Sequence, residues 1–136
     1  MIVEITGRYT GGLGTLMIHG PSGATIRTAA PLDNHGDGST FSPTDLAAAA
    51  FASCMVTIMG IAARDADIDL EGLTFSVEKH MAASPRRIAR LPVTINMPPG
   101  LAAEERDLLE TAARGCPMCS SLAAELERPV RFAYPD

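Results

Sequence analysis

The chain contains no tryptophan, and Phe, Tyr and Trp together make up only 4% of its 136 residues. A surface that stacks nucleobases needs aromatic rings, so a base-stacking platform is excluded. Basic residues are sparse as well. Eleven Lys and Arg face 16 Asp and Glu, leaving a net charge of −5 with both signs scattered. No basic stripe exists to neutralise a phosphate backbone, and nucleic acid is not an expected partner. No charged segment followed by an apolar core opens the chain, so no secretory signal is read. With three cysteines, an odd number, this points to free thiols in a reducing cytoplasm. Metal ligands are also thin. His19, His35 and His80 are dispersed, and Cys116-x-x-Cys119 has no second pair to complete a zinc site. Neither a metal nor a bound cofactor is expected.

Long apolar runs are absent except for one, residues 46–63, and Cys54 sits in its middle. The run approaches the length of a short membrane span. It is rich in Ala, Ser, Thr and Gly, has no aromatic belt, and lies between segments that alternate with period 2. A central helix enclosed by the fold is the better reading, and no membrane partner is expected.

The remaining pattern fits one domain, 1–136. Residues 2–6, 15–19 and 24–28 read as strands separated by Gly-rich turns. Ser42-Pro43-Thr44-Asp45 is a helix start, with Ser42 as N-cap and Asp45 closing a capping box, and the helix should run to about residue 63. Residues 73–80 and 88–97 read as an antiparallel pair, the second marked by Pro92 as an edge or bulge. Residues 101–114 read as a helix with acidic residues near its start and Gly115 at its end. Pro117 opens another helix to about residue 127, and residues 130–134 form a last strand. The order βββ-α-ββ-αα-β, with few helices and grouped antiparallel strands, is an α+β arrangement.

The chemistry rests on the thiols. Cys116 precedes Pro117 at a helix start, where unpaired backbone N–H groups favour a thiolate; a plain helix cap is the competing reading. Cys54 in an apolar run is either core filler or a reactive thiol in a dry pocket. Cys116-x-x-Cys119 has the spacing of a redox pair; its place between two helices makes Cys119 most simply a small residue one turn into the second, with a Cys116/Cys119 dithiol redox or metal site as a further reading. Arg86 and Arg87, after Pro85, are the nearest thing to a cation cluster. His80 reads as a partly exposed strand residue.

Ser42-Pro43-Thr44-Asp45-Leu46 leading into Ala52-Ser53-Cys54, followed by Cys116-Pro117 and Ser120-Ser121-Leu122, resembles the OsmC/Ohr family over essentially the whole chain. The resemblance implies an OsmC-like fold of curved antiparallel sheets wrapping two central helices in an intertwined homodimer. It implies a cysteine-based peroxidase that reduces organic hydroperoxides or hydrogen peroxide. Cys54 would attack the peroxide, Cys116 would resolve the sulfenic acid as a disulfide, and a dithiol reductant would close the cycle. An apolar pocket including Phe51 and Met55 would suit a hydrophobic hydroperoxide. Two positions depart from the peroxidase branch: Thr44 stands where that branch carries Glu, and Leu13 where it carries Arg. Asp45 and a cation such as Arg86 or Arg87, or else Arg8 or Arg27, are left to activate the thiol. The chain is closer to the OsmC-like branch than to the hydroperoxide-resistance branch. The alternative is a binding protein for small apolar ligands that keeps the pocket with weak or lost peroxidase activity.

Overall fold

A computed structural model describes all residues, 1–136. They cluster into two compact units, Met1–Leu46 and Ala47–Asp136.

The first unit is an antiparallel meander of β1 (Ile5–Gly11), β2 (Gly14–His19) and β3 (Thr25–Ala29), in the order β1-β2-β3. Ile5 pairs with His19, and Thr15 with Thr28. The β1–β2 turn requires three successive left-handed residues: Gly11 and Gly12, with φ of 85° and 62°, and then Leu13 at 63°. Glycine takes this conformation freely, whereas leucine is strained there. The Leu13 amide N–H donates to the Tyr9 hydroxyl at 3.1 Å, which anchors the turn. The unit ends on the expected capping box. Asp45 N–H donates to Ser42 Oγ at 3.1 Å, and Ser42 N–H donates to Asp45 Oδ2 at 2.8 Å.

That box opens α1 (Pro43–Asp65), whose remaining turns belong to the second unit. An alanine-rich first half with no interior proline suits a helix. Ala48, Phe51, Ala52, Met55, Met59 and Ala63 form a buried stripe at helical spacing. The opposite face, with Ala50, Ser53, Thr57 and Ile61, stays exposed, so the helix is not enclosed all round within one chain. At its end Ile68 N–H donates to the Ala63 carbonyl at 2.7 Å and Asp67 N–H to the Arg64 carbonyl at 3.2 Å. Asp67 takes the left-handed position that glycine usually fills in this motif, with φ of 56°.

The α1 stripe packs against Leu91, Val93 and Ile95 and against Leu109 and Ala113, forming the core of this unit. The two strands expected over 73–80 and 88–97 do pair, but each is interrupted. They appear as β4 (Thr74–Val77), β5 (His80–Ala82), β6 (Arg87–Arg90) and β7 (Val93–Asn96). Pro92 is the cause on one side, since it has no N–H to give to a ladder; its carbonyl instead accepts from Glu78 N–H at 3.0 Å. β4 lies antiparallel to β7, and β5 to β6.

One pairing departs from the antiparallel expectation. β8 (Val130–Ala133) runs parallel to β7, with Val93 opposite Val130 and Asn96 opposite Ala133. A parallel neighbour needs a long crossover, and here the crossover holds α2 (Ala103–Arg114) and α3 (Pro117–Ser121). Glu105 Oε1 accepts from Ala102 N–H at 2.8 Å at the start of α2. α3 is shorter than the expected helix to residue 127. Ser121 turns its hydroxyl back onto the Pro117 carbonyl at 2.8 Å, and Leu122 is already extended. The chain beyond is drawn towards the sheet, where Leu91 N–H donates to the Glu127 carbonyl at 2.8 Å. The Tyr134 hydroxyl donates to Glu110, and the Arg106 guanidinium lies 4.1 Å over the Tyr134 ring, tying the end of β8 back to α2.

Candidate functional site

The site is built on the first turn of α3. Pro117 occupies the first helical position and has no N–H, so the free donors there start with Met118 and Cys119. Both are directed at sulfur. Cys119 N–H donates to Cys116 Sγ at 3.3 Å, making Cys116 the N-cap. The Met118 backbone lies close enough to Cys54, between Phe51 and Met55 on α1, to favour its thiolate. Cys54 and Cys116 therefore meet at one helix start, although they lie on elements far apart in sequence. Each thiol perturbs the ionisation of the other.

A third thiol joins them. Cys119 Sγ lies 2.6 Å from Cys116 Sγ, and all three cysteines are free. The reading of Cys119 as a small helix residue missed this contact. The spacing Cys-x-x-Cys was the signal, because the N-cap and the third helical residue fall on the same side of the first turn. Cys116 is fully buried, at 0% exposure, while Cys54 and Cys119 are half-buried.

Both central thiols are pushed above the ordinary thiol range. For Cys54 burial is the main cause; the Met118 N–H opposes it, and the Cys116 thiol adds to it. For Cys116 burial again leads, and the Cys119 thiol raises it further; the Cys119 N–H and the Cys54 thiol pull it back. Hydrogen-bond donation from backbone thus offsets only part of the desolvation.

Next to the thiols is an open cleft of about 330 Å3. Phe51, Met55 and Val130 contribute apolar surface, and Arg114 and Arg128 contribute cations. Cys119 is the thiol in its wall. Arg128 donates from Nη1 to the Cys119 carbonyl at 2.7 Å, clamping the end of the thiol segment. Arg114 lies 5.0 Å over the Phe132 ring and pairs with Glu110 at 3.4 Å. Neither arginine stood out in the sequence, where one reads as a helix-end charge and the other as a residue before a strand.

The candidate activating groups engage partners of their own. Arg87 turns its guanidinium onto the carbonyls of Ala83 and Pro85, at 3.1 and 3.0 Å, within its own hairpin. Arg86 is exposed on the same turn. Asp45 serves the capping box of α1. His80 pairs with Glu78 at 2.8 Å on the surface.

The family profile described as OsmC-like protein matches residues 36–127, which contain both Cys54 and Cys116. The chain belongs to the OsmC-like family. A solved structure from Psychrobacter arcticus 273-4, provisionally named an osmotic stress induced and detoxification response protein, is 41% identical. It superposes with a TM-score of 0.88, over 96% of this chain and 93% of that one. An organic hydroperoxide resistance protein OsmC from Legionella pneumophila shares the fold at 20% identity and a TM-score of 0.74, over 98% and 97% of the two chains. An organic hydroperoxide resistance protein from Elizabethkingia anophelis does so at 19% and 0.73, over 98% and 96%. No curated protein matches the chain. This OsmC-like chain therefore has the fold of the hydroperoxide resistance proteins, with a third thiol in contact with Cys116.

Proposed function

We propose that this OsmC-like protein is a thiol peroxidase that reduces organic hydroperoxides. The observation that carries the reading is the meeting of Cys54 and Cys116 at the α3 start, close enough to alter each other's ionisation. The names of the Legionella and Elizabethkingia structures, which share this fold, point the same way.

In this reading Cys54 thiolate attacks the outer peroxide oxygen. The O–O bond breaks, the alkoxide leaves as alcohol after taking a proton, and Cys54 becomes a sulfenic acid. The Met118 N–H favours the thiolate that burial disfavours. Phe51 and Met55, one turn apart on α1, offer apolar contact to the carbon chain of the substrate. The Cys116 thiol then displaces hydroxide, which leaves as water, and a Cys54–Cys116 disulfide forms. A dithiol reductant returns both to thiols.

The functional unit in this reading is a homodimer in a reducing cytoplasm. The exposed small face of α1 and the wholly exposed strand β1 support a second copy, and three free thiols support the compartment. By length and composition α1 is apolar enough to cross a membrane, but its stripe packs on β7 and α2, as a core helix does.

The suppressed ionisation of both thiols favours a second reading, an apolar-ligand binder with weak peroxide chemistry. Stoichiometric cumene hydroperoxide followed by peptide mapping separates the two. A Cys54–Cys116 linkage, or oxidation that starts at Cys54, is the expected result. Thiols still free after that treatment, with Cys54→Ser retaining a bound apolar ligand, would establish the binder instead.

A further inference from the structure

We propose that Cys119 is an exit thiol, carrying oxidising equivalents from the Cys54–Cys116 pair to the cleft as a Cys116–Cys119 disulfide. The inference rests on the peroxidase reading for the source of the first disulfide.

The geometry sets the problem and its solution. Once Cys54 and Cys116 are joined, an external reductant must attack one of their sulfurs in line with the S–S bond, and exchange depends on access. Cys116 is fully buried and Cys54 half-buried, and the cleft that reaches this region is lined by neither of them. It is lined by Cys119, whose sulfur lies 2.6 Å from Cys116. An internal thiol thus already sits at the sulfur that no bulky reductant reaches. Two further contacts hold it there. Cys119 N–H bonds to Cys116 Sγ at 3.3 Å, and Arg128 fixes the Cys119 carbonyl at 2.7 Å.

The exchange balances without an added oxidant. Cys119, deprotonated, attacks the Cys116 sulfur of the Cys54–Cys116 disulfide. The new Cys116–Cys119 bond forms as the old S–S bond breaks, and Cys54 leaves as thiolate, ready for another peroxide. A small dithiol entering the cleft then attacks Cys119 sulfur. Through a mixed disulfide it is oxidised to its own disulfide, and Cys116 and Cys119 return to thiols with two protons.

The test uses the full-length protein and its Cys119→Ser variant, with thermal unfolding compared first; Cys119→Ala serves if serine is not tolerated. One equivalent of cumene hydroperoxide is added and samples are acid-quenched from milliseconds to minutes for peptide mapping. In the wild type the Cys54–Cys116 linkage should rise first and convert to Cys116–Cys119. In the variant it should stop at Cys54–Cys116, and steady-state turnover with dihydrolipoate should fall at least tenfold. A variant that turns over as fast as wild type, or a wild type that never forms Cys116–Cys119, overturns the proposal while leaving the peroxidase reading intact. A parallel arm uses diamide, a thiol oxidant that needs no peroxide chemistry. If peroxide leaves Cys54 untouched but diamide yields a Cys54–Cys116 disulfide that converts to Cys116–Cys119, the peroxidase reading fails and the exchange stands.

Discussion

Within this fold, Cys54 should behave as a thiol at neutral pH, and its reactivity should rise with pH without levelling off. An unperturbed thiol with a pKa of about 8.5 is about 3% thiolate at pH 7 and half ionised at its pKa. Burial and the Cys116 thiol both push Cys54 above that, and the Met118 N–H recovers only part of the difference. Each unit of elevation removes about 1.4 kcal/mol from the thiolate. The rate of thiolate chemistry at Cys54 should therefore climb about tenfold per unit from pH 6 to 8 and still be rising where a free thiol bends over. Iodoacetamide labelling of the intact protein, resolved by cysteine with mass spectrometry from pH 6 to 10, measures this directly. Steric shielding of Cys54 scales the whole curve without changing its shape. Cys116→Ala supplies the second arm. It removes a neighbour that raises Cys54, so the inflection should move to lower pH. A plateau at or below pH 7 in the wild type would refute the reasoning, because it would require a cation that outweighs burial at Cys54.

Stability should respond at other places. Both raised thiols stay protonated in the folded chain at pH values where the unfolded chain ionises them. Unfolded protein then binds fewer protons, so stability to urea should decline as pH rises above about 8.5, and Cys116→Ala should flatten the decline. Leu109 is fully buried between α2 and the α1 stripe. Leu109→Ala should cost about 2–5 kcal/mol, lowering Tm by roughly 10 °C by calorimetry. Leu13 is half-exposed in a left-handed turn position. Leu13→Gly should therefore leave stability unchanged or raise it by up to about 1 kcal/mol, against the usual trend for glycine. Light scattering should report twice the 14.3 kDa chain mass, and Thr57→Arg on the exposed face of α1 should shift it towards the monomer.

Local signals carried much of this fold into the sequence. The Ser42–Asp45 box, the Gly11-Gly12 turn and the acidic start of α2 are short-range chemistry, and each appears where the residues place it. The misjudged features depend on contacts between distant segments. α3 stops early because residues after Leu122 pair with the sheet, and helix periodicity says nothing of that. Pro92 was visible as a break, but how it divided two strands depended on its carbonyl meeting Glu78. At the site, Cys54 and Cys116 were recognisable as a pair only through resemblance, since nothing in the local sequence brings α1 to α3. Arg86 and Arg87 read as a cation cluster, and the sequence did not show that Arg87 Nη1 donates to two carbonyls of its own hairpin. Arg114 and Arg128 became visible only once the crossover had folded back.

The parallel strand β8 also has a bearing on synthesis. The segment that carries Cys116 and Cys119 lies between β7 and β8, so β8 is synthesised after it. Pairing of Val93 with Val130 closes a long loop, a step that comes late in folding because chain entropy opposes it. Until it closes, the thiols of a nascent chain are not gathered at the α3 start. They then have no fixed neighbour, so the sulfurs are gathered only once β8 has paired with β7.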